Sequence, residues 1–173
     1  RCFLPRVFAS EIIRLTAMGR PVEEIISSAV IKFSKRFPEA SVEVKMPEEF
    51  LMVAMDGVLI EQVLVNLLEN AVLHGKTYTK IWIVVTHTPG RVEIAVEDDG
   101  QGIKESVLPV MFEGKISSDE EESDSKRNMG IGLSVCHSIV KAHKGGMHAE
   151  NRVEGGARIS FWLPMNEEDT DGY

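Results

Sequence analysis

Two side-chain amides, Asn66 and Asn70, lie one turn apart in "LIEQVLVNLLENAVLHG" (59–75), an apolar stretch that reads as one helix. With His74 they follow i, i+4, i+8 spacing, which places all three along one edge of that helix. Asparagine is a mediocre helix former because its amide competes for nearby backbone groups. Buried without partners, each amide costs on the order of a few kcal/mol. Two readings are open: the amides satisfy neighbouring loops or a strand edge, or they present carbonyl oxygens, hard ligands that can share Mg²⁺ with phosphates. A second stretch, "EDDGQGI" (97–103), follows a strand pattern. Its glycines let the chain turn closely around something, and a buried Asp at a strand end can accept a hydrogen bond from an exocyclic amine such as that of adenine. The same composition also makes ordinary hairpin turns. A third, "NMGIGLSV" (128–135), is a glycine-spaced entry into a helix, where free N–H groups can bind phosphate. It is not a GxxxxGK[ST] loop, and no strand immediately precedes it as in a dinucleotide fingerprint. The fourth, "EGGAR" (154–158), reads first as a tight hairpin.

The elements that must position these groups follow from periodicity. "PVEEIISSAVIKFSKRF" (21–37) has helical spacing of Ile25, Ile26, Ala29, Val30 and Phe33, with Pro21 at the first helical position. "SVEVKM" (41–46) and "FLMVAM" (50–55) read as strands, the second ending at Asp56. In the 59–75 helix, Ile60, Leu64, Leu67, Leu68 and Ala71 face a sheet, while Gln62 and Glu69 point to solvent. Residues 80–87 and 91–98 form an antiparallel hairpin across "TPG", and 108–114 holds a short helical turn. "KISSDEEESDSKRNM" (115–129) has almost no apolar content and is expected to be a mobile loop, with Lys126 and Arg127 suited to a lid over a triphosphate. A helix over 130–146 is opened by glycines and closed by Gly145–Gly146, a last hairpin spans "VEGG", and the tail "NEEDTDGY" frays. Residues 1–20 give no clear pattern, and there are no internal repeats. The order excludes a doubly wound sheet and predicts an α+β, two-layer sandwich, with helices on one face of a mixed, mostly antiparallel sheet.

Composition bounds the function. The chain has 173 residues, 43% hydrophobic and 27% charged, as expected for one soluble domain. A net charge of −8 argues against a broad nucleic-acid or acidic-membrane surface. No apolar run approaches the roughly 18–20 residues that span a bilayer, and no signal peptide is expected from the pattern of these residues. Cys2 and Cys136 are far apart and outside any metal-ligand pattern, as in reduced cytoplasmic proteins. A start at Arg1 suggests a piece of a longer polypeptide.

Taken in order, these stretches resemble the motifs of the ATP-binding domain of the histidine kinase, gyrase, Hsp90 and MutL superfamily. "NLLENAVLHG" is similar to the N box, "DDGQGI" to the G1 box, "MFEG" to a short F box, "GIGL" to the G2 box and "EGGARISFWLP" to the last glycine motif. The resemblance covers about residues 20–165 and is nearest to bacterial two-component sensor histidine kinases. The closing run "HKGGMHAENRVEGGARISFWLP" resembles the sensor kinases of Kdp potassium-transport systems. It implies a Bergerat-type ATP-binding domain over 21–165, preceded by a remnant of the upstream segment (1–20) and followed by an acidic tail (166–173), with an ATP lid at about 113–129. The resemblance implies that Asn70 ligates Mg²⁺ bridging the phosphates, with Asn66 assisting, and that Asp98 bonds the adenine amine. Gly100, Gly102 and Ile103 would line the base and ribose pocket. Gly130, Ile131, Gly132 and Leu133 would carry the phosphate end, and Phe112 would anchor the lid. Three departures stand out: Leu73 where a Lys or Arg is usual, with His74 beside it; Lys115 near the place of a second aromatic; and Asn128 for the first glycine of the G2 run.

The implied activity is donation of the ATP γ-phosphoryl group to a histidine on a separate dimerisation domain, and from there to a response regulator. None of His74, His87, His137, His143 and His148 stands in an HE-x-x-TP-like context, so the acceptor is expected outside this chain. His137 and His143 read as surface or core residues. The hydrolases of the superfamily resemble one another in placing Glu where this chain has Asn66. An amide cannot take a proton at neutral pH, so transfer is favoured over hydrolysis. The alternatives are an anti-sigma-factor-type serine kinase and a nucleotide-binding module without transfer. No nucleic acid or membrane contact is expected, and the fragment reads as the cytoplasmic domain of a membrane-anchored kinase.

Overall fold

The computed structural model describes residues 18–113 and 124–166, with residues 124–131 as backbone only. In chain order the elements are β1 (Met18–Pro21), α1 (Val22–Arg36), β2 (Val42–Lys45), β3 (Met52–Met55), α2 (Gly57–Gly75), β4 (Ile81–Thr88), β5 (Arg91–Asp98), α3 (Asp124–Ala142), β6 (Gly146–Asn151) and β7 (Ala157–Pro164). Five strands form one sheet in the order β2-β4-β5-β7-β6, in which β2 runs parallel to β4 and the other pairs are antiparallel. The expected α+β sandwich is present: Ile81, Ile83 and Val85 of β4, Val92, Ile94 and Val96 of β5, and Ile159, Phe161 and Leu163 of β7 are buried with the apolar faces of the helices. Val63 joins the five core positions read from α2's sequence.

Several details differ from the sequence reading. β3 does not enter the main sheet but pairs with β1, whose four residues carry no strand pattern of their own. Pro21 ends β1 with φ −62° and ψ 127°, so it precedes the first turn of α1 instead of occupying it. Its extended backbone serves both elements, and its missing N–H costs neither a ladder bond. Glu69 faces α1, where it pairs with Arg36 at 2.6 Å.

α2 is fixed at its start by two polar contacts. Asp56 accepts from the Leu59 N–H at 3.1 Å, an N-cap that satisfies a free donor of the first turn. His143, beyond the end of α3, is buried as a core residue. Its Nε2 accepts from the Asp56 N–H at 3.0 Å and its Nδ1 donates to the Ile139 carbonyl at 2.8 Å. The two bonds together require the neutral Nδ1–H tautomer.

α3 starts at Asp124, so the glycines at 130 and 132 lie inside the helix and do not open it. The run of hydrogen-bonded turns across 104–113 includes the short turn expected near Phe112. At the other end of α3, Lys144 takes the left-handed conformation (φ 62°), and the Gly145 N–H returns to the Val140 carbonyl at 2.9 Å. Gly145 is required by packing, because a Cβ there would stand 2.0 Å from the Trp162 carbonyl oxygen. Gly145→Ala is therefore expected to cost about 3 kcal/mol of stability. A lower urea midpoint at unchanged slope would show it, and a midpoint equal to the parent's would contradict this packing.

Candidate functional site

A cleft opens between the C-terminal half of α2 and the ends of β5 and β7. Asn70, His74, Asp98, Gly102, Ile103 and Met111 stand around it, with Ala157 and Ile159 completing the lining. The expected residues of two separate motifs are thus brought together. The connection is local hydrogen bonding: the Gln101 N–H donates to the Gly75 carbonyl at 3.2 Å, and Gln101 Nε2 donates to the His74 carbonyl at 2.9 Å. A Cβ on Gly100 would lie 2.4 Å from the Gly75 oxygen, so only glycine lets the loop lie against the end of α2. Gly100 acts behind the wall of the cleft and does not line it.

Asp98 and Asp99 are adjacent in sequence and opposite in environment. Asp98 ends β5 with only 6% of its surface exposed, and its Oδ1 accepts from the Gly100 N–H at 2.8 Å. Burial pushes its carboxyl above the usual range, opposed by backbone bonds from Gly100 and Ala157 and by Arg152, and assisted by the Asp99 charge. Asp99 turns away and accepts from the Thr79 hydroxyl, from the Thr79 N–H at 2.7 Å and from the Lys80 N–H at 2.9 Å. The Thr79 hydroxyl above all holds its carboxyl down at about 2. One carboxylate fastens the loop to the start of β4, and the other, costly to ionise, faces the cleft. Perturbed carboxyls of this kind gather at functional sites.

The two asparagines also diverge. Asn66 turns toward α3, and its Nδ2 donates to the buried Cys136 sulfur at 3.5 Å, where burial pushes the thiol up. No hydrogen bond among the described residues engages the Asn70 amide, which lies half-buried on the cleft wall. Among the described residues no group of three or more His, Cys, Asp or Glu side chains could hold a metal.

The other expected residues fall nearby. Phe112, half-buried, stacks on the His137 ring with centroids 5.8 Å apart and planes at 21°, tying the end of the 104–113 segment to α3. Burial, with Lys141, pushes the His137 imidazole down. Leu133 is fully buried in the core. Gly130, Ile131 and Gly132 run through the helical backbone of α3, so their N–H groups are not those of a helix start. Leu73 is 50% exposed and does not line the cleft. Residues 114–123 of the expected lid, and the side chains of Lys126, Arg127 and Asn128, lie outside what is described.

Sequence reading misses four contributors. Met111, Ala157 and Ile159 are apolar and carry no chemical signal. Gly156 (φ 90°) has more than a hairpin role, because a Cβ there would meet the Asp98 carbonyl oxygen at 1.8 Å. Its location in "EGGAR" is visible, but its target is not.

Comparison with known proteins places this geometry. Residues 55–167 match the family model described as histidine kinase-, DNA gyrase B-, and HSP90-like ATPase. The chain is 43% identical over 143 residues to the sensor protein KdpD of Clostridium acetobutylicum, covering 83% of this chain and 16% of that protein. It is 30% identical over 154 residues to the adaptive-response sensory kinase SasA of Synechocystis, covering 85% of this chain and 39% of that one. Among solved structures, histidine kinase ThkA in complex with response regulator protein TrrA superposes with a TM-score of 0.71 at 25% identity, over 88% of this chain and 42% of that one. The chain spans less than half the length of each of these relatives.

Proposed function

Since the chain belongs to the histidine kinase-, DNA gyrase B- and HSP90-like ATPase family, we propose that it binds Mg·ATP in the cleft and donates the γ-phosphoryl group to a histidine on a separate dimerisation domain. The observation that carries this reading is the convergence of the buried Asp98 and the half-buried Asn70 amide on one cleft, with an amide at position 66. Asp98 accepts from the adenine amine, and Gly102 and Ile103 border the base and ribose. The donor chemistry fits Mg²⁺ at Asn70, whose carbonyl is a hard ligand that would hold the ion together with phosphates and water; Asn66, expected to assist, instead turns toward α3 and bonds Cys136. When bound, the ion neutralises charge on the phosphates during transfer. His74 lines the cleft where it can meet a phosphate in place of the basic residue absent at Leu73.

Asn66 cannot act as a general base, so water attack on ATP gains no help from this side chain. Four of the five histidines are engaged or poorly placed as acceptors, and the fifth, His74, lines the cleft itself. His143 is buried in two hydrogen bonds, His137 is stacked, and His87 and His148 lie on strands beside Glu49 and Glu150. The acceptor therefore belongs to the dimerisation domain of the full-length kinase, and a response regulator takes the phosphoryl group onward. The KdpD likeness supports potassium or osmotic regulation as the output. No described helix is long and apolar enough to cross a membrane; the reading places this domain in the cytoplasm, attached to an anchored kinase.

The test is transfer in trans, with radiolabelled Mg·ATP and a separately produced dimerisation domain of a Kdp-type sensor kinase. Acid-labile label on the added domain, and none on this chain alone, is expected. Acid-stable label on a serine protein would favour the anti-sigma type of kinase, and ATP binding with no transfer would leave a passive nucleotide module.

A further inference from the structure

Beyond the cleft itself, the hairpin made by β6 and β7 reaches back to the glycine loop at both of its ends. Asn151 is the last residue of β6, exposed and outside the hydrophobic core. Its Oδ1 accepts from the Ile103 N–H at 2.7 Å, and its Nδ2 donates to the Ile103 carbonyl at 2.8 Å. One amide thus satisfies both backbone groups of one residue, as a partner strand would. The preceding Gly102 has φ 76°, and a Cβ on it would come within 2.8 Å of Asn151 Oδ1, so the loop is shaped to meet this amide. Arg152, the next residue, donates from Nη1 to the Asp98 carbonyl at 3.1 Å. Its guanidinium is steadied by the Trp82 ring at 4.8 Å and by Glu97 at 3.4 Å. Two consecutive residues therefore hold the loop where it leaves β5 and where it ends at Ile103.

We propose that Asn151 is a positioning residue for nucleotide binding: its amide fixes Gly102 and Ile103 opposite Asp98 and so sets how tightly an adenine-bearing nucleotide is held. The proposal rests on the nucleotide reading of the cleft. Among the described residues the Asn151 side chain bonds to the loop backbone, and it acts through that backbone. Because the side chain is exposed and its bonds lie outside the core, its replacement leaves the folded domain in place.

Two variants separate positioning from bulk structure. Asn151→Ala removes both bonds, and affinity for a fluorescent ATP analogue is expected to fall about three- to tenfold, the worth of one ordinary hydrogen bond, since water replaces part of the loss at this exposed position. Asn151→Asp is nearly isosteric. Ionised, it sets a second oxygen against the Ile103 carbonyl; protonated, it regains one donor and one acceptor. Its affinity deficit, taken as a ratio to wild type at each pH so that Asp98's own titration cancels, is expected to narrow from about pH 7 toward about pH 4, where an ordinary aspartate takes up its proton. The Asn151→Ala ratio should stay flat over that range. An Asn151→Ala affinity within about twofold of wild type, or an Asn151→Asp deficit that does not narrow, would overturn the proposal. If wild type itself binds no nucleotide, the reading of the cleft fails first. Amide exchange at Ile103 then still decides the clamp, since Asn151→Ala must speed it and unchanged exchange refutes the contact.

Discussion

Asp98→Asn is expected to weaken ATP binding by about a hundredfold while leaving the fold as stable as the parent or more so. The affinity loss follows from hydrogen-bond chemistry. The carbonyl of the substituted amide would keep the Gly100 N–H that Asp98 now accepts at 2.8 Å, leaving an NH₂ donor to face the donor on the adenine ring. The stability effect has the opposite sign because burial raises the Asp98 carboxyl in the folded state. A folded-state value above the unfolded one means the folded protein holds the proton more tightly. The ionised side chain then costs stability at neutral pH, and the cost is relieved as pH falls through the raised value. An uncharged amide removes that cost at every pH. Calorimetric titration with ATP, paired with thermal unfolding at neutral pH, reads both effects. The wild type should also lose ATP affinity on acidification sooner than an ordinary carboxylate would, and the variant should lack that step. A variant that loses binding only because it melts early would contradict the account. Stability held back at a site so that it can function is a common trade.

Asn70→Ala is expected to reduce phosphoryl transfer to an added dimerisation domain by about two orders of magnitude or more, with little change in stability. No hydrogen bond among the described residues depends on the Asn70 amide, so the fold loses only a half-buried polar group. What would disappear is the hard oxygen proposed to hold the ion against the phosphates. The gain in ATP affinity on adding Mg²⁺ should therefore shrink toward nothing. Asn70→Asp makes the complementary test. A carboxylate beside the triphosphate repels it when no metal is present, and Mg²⁺ relieves part of that repulsion, so this variant should depend on Mg²⁺ more than wild type does. Equal Mg²⁺ dependence in both variants and the parent would remove Asn70 from the metal site.

How much of this is legible from sequence differs by element. The core side of α2 is written in its period, since burial selects apolar residues every three or four positions regardless of partner. The site residues on α2 and at the end of β5 are legible because Asn and Asp are unusual in such apolar surroundings. Their convergence is not, because it is made by backbone bonds from Gln101 to the end of α2 and by a glycine that only the packed structure shows to be obligatory. Glu69 reads as solvent-facing because periodicity cannot tell water from a second helix, and Arg36 of α1 waits there. The start of α3 escapes because "DEEESDSKRN" has no apolar spacing, whereas its backbone is helical from Asp124. Asn151 carries no signal at all in sequence. A polar residue at a strand end is ordinary, and its value comes from a loop 48 residues away.

The most direct measurement is a titration of the chain with a fluorescent ATP analogue, with and without Mg²⁺, competed by ATP and by GTP. Saturable binding that Mg²⁺ strengthens, that ATP displaces far better than GTP, and that Asp98→Asn removes is the result expected of a cleft built around Asn70 and Asp98. Binding that ignores Mg²⁺ and the base, or that survives Asp98→Asn unchanged, would contradict it.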